Sequence, residues 1–179
     1  CSGLVGSEMC IRDRLKNKLT TINPGGVFGD ALDKKGGTSI EYVRQFLKGK
    51  FPAAPKFAVL ISDVKDVAKS HVACIRNKKV GGRRLIVGKE VKKLVELSQI
   101  MAEAMPEYAK KVPRKELPNF MVKLISYIDS SAKTMIPDLG IMMQTDSTYA
   151  EDLLGFKFKG AKDCICLLYT SPSPRDRYI

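Results

Sequence analysis

The residues best placed for close contact with a ligand are Asn23-Pro24-Gly25-Gly26-Val27, which follow a short apolar run, Leu19–Ile22. Pro24 has no N–H for a ladder and pushes Asn23 out of helical space. Gly25 and Gly26 carry no Cβ, so the backbone can approach a partner closely there. A strand ending in a tight Pro-Gly loop is where open α/β sheets place ligands, outside the carboxyl ends of the strands. A strand and a turn with nothing bound is the commoner meaning of such a segment.

Other side chains offer less. Asp63 and Asp66 could form an acid/base pair, but Asp63 as a helix cap and Asp66 at the positive helix end explain both more simply. The only histidine, His71, falls on the apolar face of a helical pattern, where a satisfied core residue is the usual meaning. A single histidine excludes a multi-histidine metal centre. No Gly-x-Gly-x-x-Gly, Gly-x-x-x-x-Gly-Lys or Gly-x-Ser-x-Gly occurs. The basic pairs Lys78-Lys79, Arg83-Arg84, Lys92-Lys93 and Lys110-Lys111 lack the interleaved aromatics of a single-strand platform.

The elements that must carry these residues follow from periodicity. Leu19–Ile22 reads as a buried strand. Thr38 or Ser39 can cap a helix from Ile40 to about Lys48, with Ile40, Val43, Phe46 and Leu47 on one face. Phe51–Pro55 is extended, and Phe57–Ile61 is a strand running into a helix from Val64 to about Asn77. That helix should turn Val64, Val67, Ala68, His71, Val72 and Ile75 inward. A second short strand covers Arg84–Val87, and an amphipathic helix Glu90–Glu103. Leu117, Phe120, Met121, Leu124, Ile125 and Ile128 form the apolar stripe of another helix. Ala132–Met135 is a short helix, and Met135, Met142 and Met143 read as gap-filling core. Asp146-Ser147 caps a last helix that ends at Gly155. Strands alternating with helices give the α/β class.

The two ends of the chain share an origin. Leu4–Asp13 can be encoded CTC GTG GGC TCG GAG ATG TGT ATA AGA GAC. The opposite strand, read in a shifted frame, encodes Cys166–Arg175. Residues 1–14 and 166–179 are therefore expected to be translated sequencing-adapter tails around a fragment, 15–165, of a protein that continued on one or both sides. The chain has 31 Lys+Arg and 19 Asp+Glu; without the tails 27 and 16 remain, a net charge of +11. Those charges are scattered over several helices, which favours a solvated basic surface over a nucleic-acid site. Of five cysteines only Cys74 and Cys164 lie outside the tails, too few and too far apart for a disulfide scaffold or zinc site. No run reaches the roughly 18 apolar residues of a membrane span. A reducing, cytoplasmic setting is expected, with no membrane partner.

Several segments resemble one family. Asn23-Pro24-Gly25-Gly26-Val27-Phe28-Gly29 is similar to the Asn-Pro-Gly-x-Val-x-Gly loop of extended short-chain dehydrogenases/reductases of the dihydroflavonol-reductase-like type, in the NAD-dependent epimerase/dehydratase superfamily. Ile61–His71 resembles that group's Val-Asp-Val-x-Asp-Val-Ala-x-x-His segment, and Gly82–Val87 its following strand. Leu117-Pro118 and Asp146-Ser147…Leu153-Leu154-Gly155-Phe156 match its later helices in order. The resemblance implies the C-terminal part of a Rossmann-type parallel sheet with a small, mostly helical substrate-binding region. It implies a parent enzyme that reduces an aldehyde or ketone with NAD(P)H, or, as an alternative, a nucleotide-sugar epimerase or dehydratase. A basic nucleic-acid-binding module is the reading from charge alone.

In that family the dinucleotide fingerprint and the catalytic Ser/Tyr/Lys precede the strand at Leu19. None of the six tyrosines here is followed by Lys four residues on. No catalytic or metal residue is therefore expected in this chain, and no tight cofactor binding without the N-terminal Rossmann half. What carries over is the rim of the nicotinamide pocket, Pro24, Gly25, Gly26 and Val27, with Thr38 or Ser39 near the cofactor phosphates. Gly26 stands where a bulkier apolar residue is usual, which leaves its backbone role but no side-chain contact.

Overall fold

The computed structural model describes residues 15, 18–29, 37–127, 133 and 136–170. The chain runs β1 (Thr21–Pro24), β2 (Gly26–Phe28), α1 (Thr38–Leu47), β3 (Ala54–Pro55), β4 (Ala58–Asp63) and α2 (Val64–Arg76). It continues β5 (Arg84–Val87), β6 (Glu90–Lys93), α3 (Leu94–Ala104), β7 (Glu116–Leu117), α4 (Asn119–Ile125), α5 (Thr148–Leu154) and α6 (Ala161–Thr170). The fold is α/β with mainly parallel strands. β1 pairs with β5, β2 with β4 and β3 with β7, all parallel, and only β6 is antiparallel to its neighbour β4. Among the described residues no helix is long and apolar enough to cross a membrane.

Two apolar clusters form. In one, Phe28 and Ile61 of β2 and β4 are enclosed by Phe46 of α1, Leu97 and Met101 of α3, and Cys164 and Ile165 of α6. In the other, Leu85 and Val87 of β5 pack with Val80, Ala150 of α5 and Phe158. The segment Lys157–Ala161 passes from the second cluster to the first, and carboxylates from three elements capture its amides. Glu151 accepts from the Phe158 N–H at 2.9 Å, Asp66 from Lys159 at 2.8 Å and Glu90 from Ala161 at 2.7 Å. Lys89 and Lys157 each reach Glu151 at 3.0 Å, and Lys159 reaches Asp63 at 3.1 Å, so these two buried acids have counter-charges.

Strand β4 crosses the carboxyl ends of β1 and β5, and two glycines make room for it. A Cβ on Gly25 would stand 2.2 Å from the Leu60 carbonyl oxygen, and one on Gly88 2.7 Å from that of Ile61. Both obstacles are backbone and cannot rotate away.

The structure corrects several expectations. The first strand is displaced toward the loop and includes Asn23 and Pro24, because Thr21–Pro24 lie in register with Arg84–Val87. Proline is tolerated since β1 is a sheet edge among the described residues. Neither Thr38 nor Ser39 caps α1: Gly37 is the N-cap, with no side-chain bond, and both residues fall in the first turn. Glu90–Lys93 form a strand rather than a helical turn, since β4 offers them a free edge, and the helix starts at Leu94.

Helix α2 is rotated from the expected face. Asp66 and Ser70 are buried, whereas His71, Val72 and Ile75 are exposed. In α4, Val122 is buried while Phe120, Met121, Leu124 and Ile125 are exposed, and Met142 and Met143 are also half exposed. Ile128 and most of Ala132–Met135, including Met135, lie outside the described residues. Asp63 does cap α2, accepting from Lys65 and Asp66, and Gly155 closes α5 in the left-handed conformation at φ 78°. Helix α6 continues past Ile165 through Cys166–Thr170.

Two measurements test these constraints. Gly25→Ala is expected to lower unfolding free energy by about 1–3 kcal/mol through backbone overpacking, read from urea midpoints; an unchanged midpoint would show that β4 does not press on Gly25. Glu151 supplies the pH test. Burial alone would raise its pKa, but the Phe158 N–H, Lys89 and Lys157 outweigh burial and hold it at about 2, below the ordinary 4.5. A depressed carboxylate contributes stability above its unfolded value and loses it as pH falls through the folded one. Stability should therefore drop between about pH 4.5 and 2. Glu151→Gln should flatten that limb and cost roughly 1–3 kcal/mol at neutral pH.

Candidate functional site

The Asn23–Val27 segment is where one strand pair hands over to the next. Pro24 ends β1 opposite Val87, and Gly26 opens β2 opposite Ile61, so Gly25 alone spans the step. The Ser62 hydroxyl locks this junction: it accepts from the Gly25 N–H at 2.9 Å and donates to the Val87 carbonyl at 2.5 Å. Ser62 is almost fully buried, and its hydroxyl donor and one of its acceptor lone pairs are spent on the crossing strands. A Cβ on Gly26 would lie 3.0 Å from both the Phe28 ring and a Val59 methyl. Gly25 is thus required by packing against backbone, Gly26 is closely packed by side chains, and the Gly25 amide is already occupied. Asn23 and Pro24 remain exposed, and Val27 is half-buried.

Beside this junction β1 is open. Among the described residues β1 pairs only with β5, so its other edge presents backbone groups without a neighbouring strand. Thr38 and Ser39 stand in the first turn of α1, which packs against β2. The two expected parts of the rim therefore sit on elements in contact, while residues 30–36 between them lie outside the described residues. Among the described residues no backbone hydrogen bond joins Thr38 or Ser39 to the Pro24–Val27 segment.

The titratable groups nearby are committed to structure. Asp63 uses Oδ1 for the α2 cap and for Lys159, while its Oδ2 is buried with no hydrogen-bond partner among the described residues. That oxygen would be 3.2 Å from a Cβ on Gly29, where the backbone φ of +118° itself demands glycine. Burial, with Asp63 and Asp66 close by, pushes the Cys164 thiol up to about 12, so it is no nucleophile. Burial also raises Cys74. His71 lies on the exposed side of α2, with Nδ1 2.8 Å from the Val67 carbonyl. Among the described residues no cluster of three or more His, Cys, Asp or Glu could hold a metal.

Sequence reasoning missed Ser62, Gly88 and Lys159. The available signal for Ser62 was a hydroxyl inside the apolar run of a buried strand, which must find partners. Lys159 and Gly88 act through contacts far along the chain, which no local pattern announces.

No protein-family model matches the chain. It is 29% identical over 163 residues to the NADPH-dependent methylglyoxal reductase GRE2 of Saccharomyces cerevisiae, covering 86% of this chain and 42% of that protein. It is 26% identical over 144 residues to cinnamoyl-CoA reductase 1 of Arabidopsis thaliana, covering 79% and 40% respectively. Among solved structures, yeast Gre2 complexed with NADPH superposes with a TM-score of 0.61 at 22% identity, over 88% of this chain and 46% of that one. A nucleoside-diphosphate-sugar epimerase from Pseudomonas aeruginosa gives 0.65 at 15% identity, over 86% and 48%. The chain spans about half the length of the curated relatives it matches. Over most of its length it is similar in sequence to an NADPH-dependent methylglyoxal reductase and a cinnamoyl-CoA reductase, and its α/β fold matches about half of each of these solved structures.

Proposed function

We propose that this chain is the C-terminal portion of an NAD(P)H-dependent reductase of aldehydes or ketones. In this reading the glycine-rich dinucleotide turn and the catalytic Ser/Tyr/Lys lie in a part of the protein outside this sequence. The observation that carries it is the open edge of β1, a parallel strand with no neighbour on one side among the described residues, ending at Asn23-Pro24. Parallel sheets are buried structures, and a two-stranded parallel pair with both outer edges unpaired among the described residues is an incomplete one. The similarity to about half of each reductase supports the same reading.

The rim fits a planar apolar ring only in part. Exposed Pro24 and half-buried Val27 would line the nicotinamide, while Gly25 and Gly26 would hold the loop in shape from behind, pinned by Ser62 and Leu60. Thr38 and Ser39, at the start of α1, would face the cofactor phosphates, where the positive end of a helix favours anions. The dinucleotide, when bound, supplies a hydride to the substrate carbonyl. This chain's residues then shape one wall and exclude water; none of them moves a proton. The epimerase fold likeness keeps a nucleotide-sugar enzyme as the second reading, separable only by the upstream residues.

The test joins this chain to the sequence encoded immediately upstream of Leu15 in the same DNA. That upstream sequence should contain a glycine-rich strand–turn–helix and a Tyr-x-x-x-Lys, and the joined protein should oxidise NADPH or NADH when given methylglyoxal or a similar aldehyde. The chain alone should show no turnover. An upstream sequence lacking both motifs, or turnover by the isolated chain, would overturn the reading.

A further inference from the structure

Helix α2 turns a face to solvent that its sequence makes apolar. Val72 is 48% exposed and Ile75 86% exposed. Ala68, Val72 and Ala73 of this face join Leu154 and Phe156, at the end of α5, as the floor of an open groove of about 870 Å³. The groove has a fixed width at one end. Asn77, just past α2, donates from Nδ2 to the Leu153 carbonyl at 2.8 Å and accepts from the Lys79 amide at 2.9 Å.

The rim is of one charge. Lys69, Arg76, Lys78 and Lys79 line it, and no acidic residue does. Among the described residues none of these four cations enters a side-chain ion pair, although the nearby acids Glu151 and Asp63 have lysine partners. An apolar floor edged by unneutralised cations is complementary to a ligand with one apolar face and one acidic face. A second copy of this chain is a poor occupant, since the chain carries a net charge of +12. The floor is open along its length rather than closed into a tunnel, which suits a helix lying in it better than an engulfed acyl chain.

We infer that the α2–α5 groove is a docking site for an acidic amphipathic helix of a partner protein. The apolar residues of such a helix sit on Val72, Leu154 and Phe156, and its carboxylates meet Lys69, Arg76, Lys78 and Lys79. The contact is independent of the reductase reading and uses none of the rim residues at Pro24–Val27.

A fluorescently labelled peptide of leucines at helical spacing, with glutamates elsewhere, provides the probe, its binding to the whole chain followed by anisotropy. Saturable binding is expected, weaker at high salt. A peptide of the same composition with its leucines spread around the helix should bind at least tenfold more weakly. Val72→Asp should weaken binding at least tenfold, and so should K78E/K79E, whose side chains are exposed and leave the core untouched; circular dichroism confirms that each variant is folded. Equal binding of the two peptides would reduce the effect to charge alone and overturn the proposal. Unchanged affinity in both folded variants would do the same, as would binding to vesicles of anionic lipid or to duplex DNA without binding to the peptide.

Discussion

Three backbone amides between Lys157 and Ala161 bind carboxylates that approach from three separate elements, and the two halves of the fold are joined there. Glu151 comes from α5, Asp66 from α2 and Glu90 from β6. A buried carboxylate is costly unless it is fully bonded, and each of these gains an amide, with lysines supplying charge to Glu151 and to the neighbouring Asp63. The segment has no ladder of its own, so these acids satisfy donors that would otherwise be buried and unpaired. Once Phe158 is seated in the β5–α5 cluster, the same short stretch delivers Ala161, Cys164 and Ile165 to the other cluster. The sheet pairs and the helices that cover them are thereby placed relative to one another by polar contacts of long sequence separation, with apolar packing following.

That dependence explains what could and could not be read from the chain. Local devices were legible: Asp63 as the cap of α2, Gly155 closing α5, and Val43, Phe46 and Leu47 as the inward face of α1. Each depends on neighbours within a turn. The α/β class was legible too, because apolar strands alternate with helical periodicity. The facing of α2 was not, because Asp66 looks like a first-turn acid at the positive helix end, and nothing nearby reveals that its carboxylate bonds an amide 93 residues later. With Asp66 and Ser70 turned inward, Val72 and Ile75 must turn outward. The strand at Glu90–Lys93 failed for the related reason that its lysine-rich sequence has helical propensity, while the free edge of β4 offers backbone bonds that propensity cannot match.

The Pro24–Val27 segment shows the same lesson at the candidate site. Glycines that read as room for a ligand are filled by Leu60, Val59 and Phe28 of the same chain. The residue that holds them, Ser62, belongs to β4 and not to the loop. A loop can still border a cofactor under these conditions, but its shape is then set from behind, by the strand that crosses it, and its most exposed surface is that of Asn23 and Pro24.

The exposed apolar residues complete the physical argument. Phe120, Leu124, Ile125, Met142 and Met143 are exposed, and β1 has one bare edge among the described residues. A folded protein rarely leaves a contiguous apolar helix face and an unpaired parallel strand without a use for both. On the proposed reading, further polypeptide would supply a strand beside β1 and a surface for α4. The groove on α2 differs from them in kind. Its cations would repel a basic surface and its floor is apolar, so the chemistry that suits it is acidic as well as apolar. On the proposed readings, a strand beside β1 and a ligand in that groove would be separate partners, since one must match a bare backbone edge and the other a row of cations.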